Sequence, residues 1–227
     1  QTAPEDIPNV IKQRGTWAVD TLRLLLWRGL GGLSLRQKLH FWELGLFYMQ
    51  SISVLIFTLT PIISLTTDVY PLVTTHAEYA LRFWIYAAAI ELLLVTLAQD
   101  LPYESLWRAR QVWLGMAPVY LKAFFIALIY GPDRKPAYRV TRKEHVYGIY
   151  WREILPQLAL FLGLIGSVVY HGLTRSLLHD ADLGSMAWAI FFALGYFGIV
   201  RNAWYGVDPL SISVELRQRV PVIMSNV

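Results

Sequence analysis

Long apolar runs separated by short polar segments dominate the chain. Residues 44–67 contain no charged side chain, and neither do residues 154–174. Residues 79–98 and 183–200 form two more apolar runs. At a helical rise of about 1.5 Å per residue, each run approaches or exceeds the length needed to cross a bilayer core of about 30 Å. The pattern therefore predicts four transmembrane helices.

Two other segments show the mixed pattern of helices that lie in a membrane interface. Residues 9–30 combine an apolar side with Asp20, Arg23 and Arg28, and the glycines that follow predict the end of this helix. Ser34 is placed to cap a second short amphipathic helix, which carries Trp42 among basic residues. We expect both helices to lie on the membrane surface.

Residues 99–131 fit two interpretations. Their second half is apolar, but Pro118 and Lys122 interrupt it, so it resembles either a poor transmembrane helix or a surface helix. A crossing would put the basic residues after it and the basic residues 12–38 on opposite sides of the membrane. Since Lys and Arg collect in cytoplasmic segments, we assign this segment to the interface.

The predicted fold is an all-α membrane protein with four transmembrane helices and amphipathic interface helices. Its expected parts follow in chain order: 1–42, the end of a catalytic region and the interface helices; 43–98, a transmembrane pair; 99–131, an interface helix; 132–149, a basic loop; 150–206, a second transmembrane pair; 207–227, a cytoplasmic tail.

Composition and charge agree with this organisation. The 227 residues are 56% hydrophobic and 16% charged, with a mean hydropathy of +0.42. In the four-span topology, Arg82 and Arg175 alone among the 20 Lys and Arg residues fall outside the cytoplasmic segments. We therefore expect a multi-pass protein of the inner (plasma) membrane with both ends in the cytoplasm. The absence of cysteine excludes disulfides and thiolate nucleophiles.

The basic loop, residues 132–149, is the first candidate for chemistry. Five basic side chains stand there against two acidic ones. Such a loop near a membrane can bind lipid headgroups or cover an anionic ligand such as a nucleotide diphosphate. Charge alone favours a third explanation, the usual positive bias of cytoplasmic loops.

Two motifs give the loop a more specific interpretation. The first is Gln13-Arg14-Gly15-Thr16-Trp17, and the second runs from Tyr138 to Lys143. With them the chain resembles the membrane-embedded, processive family 2 glycosyltransferases, of which bacterial cellulose synthase catalytic subunits are the nearest likeness. That family carries a Q-x-x-R-W motif on an interface helix and an F-x-V-T-x-K gating loop. The order of helices and motifs follows the family along nearly the whole chain.

The resemblance implies roles for these residues. Gln13 and Trp17 would bind the acceptor sugar, Trp17 by stacking on the sugar ring. The gating loop would bind the nucleotide sugar through Tyr138, Val140, Thr141, Arg142 and Lys143. In one departure, Thr16 stands where the family has the arginine that helps hold the nucleotide diphosphate. Arg14, or Lys12 beside it, is a candidate replacement.

The resemblance also implies an activity and its partners. The parent protein would polymerise a nucleotide-activated sugar, with UDP-glucose and a cellulose-like β-glucan as the commonest case, and translocate the polymer through its helices. A catalytic domain of the GT-A type, holding a divalent metal (Mg or Mn), is expected upstream of Gln1, and the chain alone is expected to be inactive. A periplasmic or accessory subunit is a further expected partner, and nucleic acid is not.

A non-enzymatic alternative remains open. The chain would then be a four-span scaffold or transporter subunit whose basic loops bind lipid headgroups.

Two acidic sites also stand out in the sequence. Glu91, inside the second span, should be paired, protonated or facing a polar channel. Asp180-Ala181-Asp182, the chain's D-x-D string, is read as a solvated turn on the outer side.

Overall fold

The computed structural model describes residues 6–28, 30–70, 76–99, 101–132, 134, 148–175 and 180–205. Its elements in chain order are α1 (Ile7–Arg23), a π-helical turn (Leu24–Arg28), α2 (Leu35–Thr67), α3 (His76–Ala98), α4 (Tyr103–Tyr130), α5 (Leu155–Thr174) and α6 (Asp180–Tyr205). The described part of the chain contains no strand. The predicted all-helical fold class is confirmed.

The helix starts follow local capping chemistry. The Asp6 carboxylate accepts a hydrogen bond of 2.9 Å from the backbone nitrogen of Asn9 at the start of α1. At the start of α2, Ser34 and Gln37 form a reciprocal capping box. The predicted cap at Ser34 is therefore confirmed.

The predicted break near residue 43 is wrong. The interface helix expected to carry Trp42 and the first expected span are one continuous helix of 33 residues, about 50 Å long. Residues 35–43 contain no glycine or proline, so nothing local ends the helix before the apolar run begins. Part of α2 therefore extends beyond the thickness of a bilayer core.

Five helices in the described part of the chain are long and apolar enough to cross a membrane, one more than the four expected. They are Leu35–Thr67, Leu81–Ala98, Tyr103–Tyr130, Leu155–Thr174 and Ala181–Trp204. The additional one is α4, for which the sequence predicts a place in the interface. Its length and composition alone therefore do not distinguish it from the other four.

Helix α4 is also the most buried of the five. It packs against α1, α2 and α6, and its buried positions are Val112, the consecutive run 114–117, Tyr120, Ala123 and Ala127. Tyr120, for example, contacts the ring of Tyr48 in α2 at 5.0 Å between centroids. Protein contacts therefore account for much of the apolar character that makes α4 resemble a membrane span.

Helices α2, α4, α5 and α6 form the body of the bundle. Phe161 lies near Phe197 and His171 lies near Asp182, so α5 and α6 run antiparallel. Small residues allow α4 to approach α6 closely: a Cβ atom at Gly198 would lie 2.7 Å from Oε1 of Gln111. Gln111 in turn donates a hydrogen bond of 2.9 Å to the carbonyl oxygen of Leu194.

Helix α3 lies at the edge of the bundle, and none of its residues 81–98 is buried. An ion pair between Glu91 and Arg110 joins it to α4. Farther along, the ring of Phe83 meets that of Trp188 in α6 at 5.3 Å between centroids. Pairing was one of the three states expected for Glu91, and its partner is Arg110.

Candidate functional site

Helix α1 presents Gln13 and Trp17 on its outward side. The two residues are four positions apart in a regular helix, so they share a face as predicted. The other side of α1 is packed into the bundle through buried residues that include Ala18, Val19 and Leu22. Trp17 is 55% exposed, so a large aromatic surface is available on a helix that the core holds in place.

The position of the missing motif arginine is now defined. The Thr16 hydroxyl donates a hydrogen bond of 2.8 Å to the carbonyl oxygen of Lys12, one turn earlier in α1. This back-bonding occupies the hydroxyl donor within the helix. Arg14 is half-buried at the side of α1 that approaches Tyr48 of α2. The charge of Arg14 therefore lies near Tyr48 of α2, and its role as a substitute for the motif arginine stays a prediction.

The end of α1 is attached to the start of the basic loop. Nε of Arg23 donates a hydrogen bond of 3.1 Å to the carbonyl oxygen of Gly131, and its Nη2 donates one of 2.8 Å to that of Pro132. Gly131 is the C-cap of α4. Nearby, the indole nitrogen of Trp27 donates to the carbonyl oxygen of Ala127 at 2.9 Å. The two helices are thus joined where the loop begins.

The far end of the loop lies near the start of α1. The backbone nitrogen of Tyr150 donates a hydrogen bond of 2.9 Å to the carbonyl oxygen of Ala203 in α6. Tyr150 packs against the core cluster that contains Ile7, and desolvation together with the nearby Asp6 carboxylate raises the pKa of its phenol. Asp6 is the N-cap of α1. The residues that end the loop therefore stand beside the first turn of α1.

These contacts place the two ends of the loop at opposite ends of α1. The 17 residues of α1 extend over about 25 Å. Residues 133–147, which connect Pro132 to Gly148, have a maximum reach of about 50 Å. The connection therefore has enough length to follow α1 and to reach the face that carries Trp17.

The predicted nucleotide-sugar residues of the loop, Tyr138, Val140, Thr141, Arg142 and Lys143, lie outside the described residues. Their contacts with Gln13, Trp17 or Arg14 stay predictions. The predicted tail, residues 207–227, also lies outside the described part of the chain. What the structure places is the frame of the site: the motif face of α1 and the two points between which the loop runs.

The interpretation of Asp180-Ala181-Asp182 as a solvated turn is wrong for Asp182. This residue belongs to the first turn of α6 and is 1% exposed. Its carboxylate accepts a hydrogen bond from Tyr70, which follows α2, and lies 3.4 Å from the imidazole of His171 in α5. The apolar pattern gave no signal for this cluster, because its members are far apart in the sequence.

Comparison of the chain with protein-family models, curated proteins and solved structures finds no match. Among the described residues, no group of three or more His, Cys, Asp or Glu side chains is arranged to hold a metal ion.

Proposed function

We propose that this chain is the membrane part of a processive glycosyltransferase, which extends a polysaccharide from a nucleotide-activated sugar and passes the product through its helices. In this proposal α1 holds the acceptor end of the polymer, and the loop of residues 132–149 covers the nucleotide sugar. A UDP-sugar is the expected donor. A divalent metal, Mg or Mn, would be bound by a catalytic domain outside this chain.

One observation carries the proposal: the basic loop starts and ends at opposite ends of the helix that bears Gln13 and Trp17. The hydrogen bonds of Arg23 fix one end, and the packing of Tyr150 fixes the other. A loop attached in this way can open and close over α1 without changing its anchor points. Such a lid excludes water from a reacting nucleotide sugar when it closes.

The residue types suit these tasks. The Trp17 ring is exposed on a rigid helix and offers the flat apolar surface on which sugars stack. Gln13, on the same face, offers both donors and acceptors to sugar hydroxyls. In the loop, the cations Arg142 and Lys143 would offset the charge of a diphosphate.

The proposed topology has four membrane spans, with α1 and α4 at the cytoplasmic surface. The burial of α4 against α1 and α2 supports this assignment, because its apolar positions already have protein partners. It keeps the loop on the same side as the motif helix, where a cytoplasmic nucleotide sugar would reach both. The proposed location is the inner (plasma) membrane, with both ends in the cytoplasm.

The test measures incorporation of radiolabelled sugar into polymer by membranes that contain the full-length gene product. UDP-glucose, UDP-N-acetylglucosamine and GDP-mannose are supplied in separate reactions with Mg²⁺ or Mn²⁺. Trp17→Ala is compared with Trp42→Ala, a matched control because Trp42 is 56% exposed on α2. Lys143→Ala is compared with Lys135→Ala, which lies in the same loop outside the motif.

We expect polymer from one of these donors, at least tenfold less with Trp17→Ala or Lys143→Ala, and near-normal synthesis with the two controls. Each variant must be present in the membrane in equal amount, which immunoblotting checks. Normal synthesis by both motif variants would overturn the proposed roles. Absence of polymer with every donor, together with loop protection by anionic vesicles and not by UDP, would support the lipid-binding scaffold instead.

A further inference from the structure

The first turns of α2 carry exposed apolar side chains outside the bilayer core. The charge-free run 44–67 is about 36 Å long as a helix, which already exceeds a core of about 30 Å. In the proposed topology, residues 35–43 therefore lie on the cytoplasmic side of that core. Because they continue the helix of the span, they leave the bilayer along the axis of α2 and do not lie flat on its surface.

Four apolar side chains form a stripe along this end of the helix, which we call the α2 stripe. It consists of Leu35, which is 73% exposed, Leu39 (60%), Trp42 (56%) and Leu46 (50%). Their spacing of four, three and four positions keeps them on one side of a helix and is that of a coiled-coil seam. An apolar seam that faces water marks a surface on which another helix packs.

The bundle contacts a different side of α2 at this level. A Cβ atom at Gly45 would lie 2.4 Å from Cδ2 of Leu25, and the ring of Tyr48 packs against that of Tyr120. At about 100° of rotation per residue, Gly45 is turned by about 90° and Tyr48 by about 150° from the middle of the α2 stripe. A second helix can therefore cover the stripe without displacing the bundle.

The charges beside the stripe complement a copy of the same helix. With Leu39 and Leu46 at heptad position a, Lys38 falls at position g and Glu43 at position e. In a parallel coiled coil, a side chain at g faces the e position five residues later in the partner helix, where opposite charges attract. Within one helix, residues five apart do not share a face, so Lys38 and Glu43 of the same chain do not meet in this way.

The membrane supplies the parallel orientation that this charge pattern requires. All copies of a chain insert in the same direction, so a twofold axis that relates two copies runs along the membrane normal. Two α2 helices that pack across this axis are parallel, with the same residues of each stripe face to face. Confinement in one bilayer also raises the effective concentration of the copies, which suits a short seam.

We propose that the chain forms a parallel homodimer in the membrane through the α2 stripe, with Lys38 of each copy paired with Glu43 of the other. The second copy covers the apolar seam on the cytoplasmic side of the bilayer core. Each copy carries its own α1 and its own basic loop, so the pairing adds no residue to the proposed sugar site. Near-normal synthesis is therefore still expected from Trp42→Ala.

The test is oxidative cross-linking of single-cysteine variants in membranes that contain the full-length protein. The 227 residues contain no cysteine, and any cysteines elsewhere in the full-length protein are first replaced by serine. Leu39→Cys is compared with His40→Cys, which places a thiol at the next exposed position, turned by about 130° from the middle of the stripe. Copper phenanthroline forms the disulfide, and non-reducing gel electrophoresis measures the covalent dimer.

We expect at least fivefold more covalent dimer from Leu39→Cys than from His40→Cys, because two thiols at position a face each other across the twofold axis. Equal yields would overturn the proposal, and they are the result expected if lipid headgroups or another protein cover the stripe.

Charge reversal tests the register of the two helices. Adding Lys38→Glu to Leu39→Cys places two acidic side chains opposite each other and should lower the dimer yield severalfold. Adding Glu43→Lys as well should restore the yield, because the attraction returns with its sign reversed. A yield that both reversals leave unchanged would overturn the pairing of Lys38 with Glu43. Since the stripe is separate from α1 and the basic loop, neither result affects the proposed function.

Discussion

Arg23 contacts Gly131: the guanidinium at the end of α1 donates a hydrogen bond of 3.1 Å to the carbonyl oxygen of this residue, the C-cap of α4. A second bond, of 2.8 Å, reaches Pro132. The helix that carries the sequence motif is thereby joined to the start of the basic loop. In the proposed enzyme this contact fixes the distance between the acceptor helix and the base of the lid.

Replacing Arg23 tests that contact. Arg23→Lys keeps the positive charge, but the lysine ammonium has no planar group that can donate to both carbonyl oxygens. Arg23→Gln removes the charge as well. With charged hydrogen bonds contributing about 1.5–3 kcal/mol each, partly screened here by solvent, we expect a lower Tm and weaker nucleotide protection of the loop from protease. Arg36→Gln, on the exposed start of α2, is the control. Equal loop protection in Arg23→Gln and Arg36→Gln would argue against the coupling.

Thr16→Arg tests the departure from the family motif. Thr16 is partly exposed next to Trp17 in α1, and its hydroxyl is already hydrogen-bonded within the helix. No arginine therefore stands at this position beside Trp17. If the face of α1 meets a nucleotide diphosphate, a guanidinium there should strengthen UDP binding by about tenfold, near 1.4 kcal/mol. Isothermal titration of the full-length protein with UDP measures the change. His40→Arg, on the exposed start of α2, adds a cation away from Trp17 and should have no such effect; equal gains would show that only net charge matters.

The ion pair between Glu91 and Arg110 should stabilise the position of α3. The side chain of Glu91 is 39% exposed and that of Arg110 is 22% exposed. We therefore expect Glu91→Gln to lower the free energy of unfolding by about 1–3 kcal/mol, less than the loss of a fully buried pair would. The double variant Glu91→Gln/Arg110→Gln should recover most of the loss. Chemical unfolding in detergent measures both. The comparison pair is Glu104 and Arg108, an (i, i+4) pair at 2.5 Å whose loss should cost about 0.5 kcal/mol or less. Equal losses of unfolding free energy at the two pairs would show that the ion pair of Glu91 has no special role.

The sequence predicted those features that depend on neighbouring residues. Ser34 caps α2 because Gln37 stands three positions later, and Gln13 shares a face with Trp17 through helical spacing. The expectation that Glu91 is paired, protonated or facing a polar channel follows from its apolar surroundings, and nothing in the pattern names Arg110 as its partner.

Features that depend on distant residues could not be predicted. Asp182 is buried because Tyr70, 112 positions earlier, and His171 close around it. Likewise, α4 has the composition of a membrane span, and only its packing against α1 and α2 shows that protein contacts use its apolar face. The break expected before residue 43 failed because a change in polarity does not end a helix in the absence of a glycine or proline.

The most direct test of the central claim is whether the loop closes over the motif face of α1. The chain has no cysteine, so Thr16→Cys/Arg139→Cys introduces the only thiol pair within these 227 residues; any cysteines elsewhere in the full-length protein are first replaced by serine. Cross-linking with a short bis-thiol reagent is measured in membranes with and without UDP. Trp42→Cys/Arg139→Cys is the control. We predict that UDP raises the yield of the first pair severalfold and leaves the control unchanged. A yield for the Thr16 pair that never exceeds the control, with or without UDP, would contradict the account.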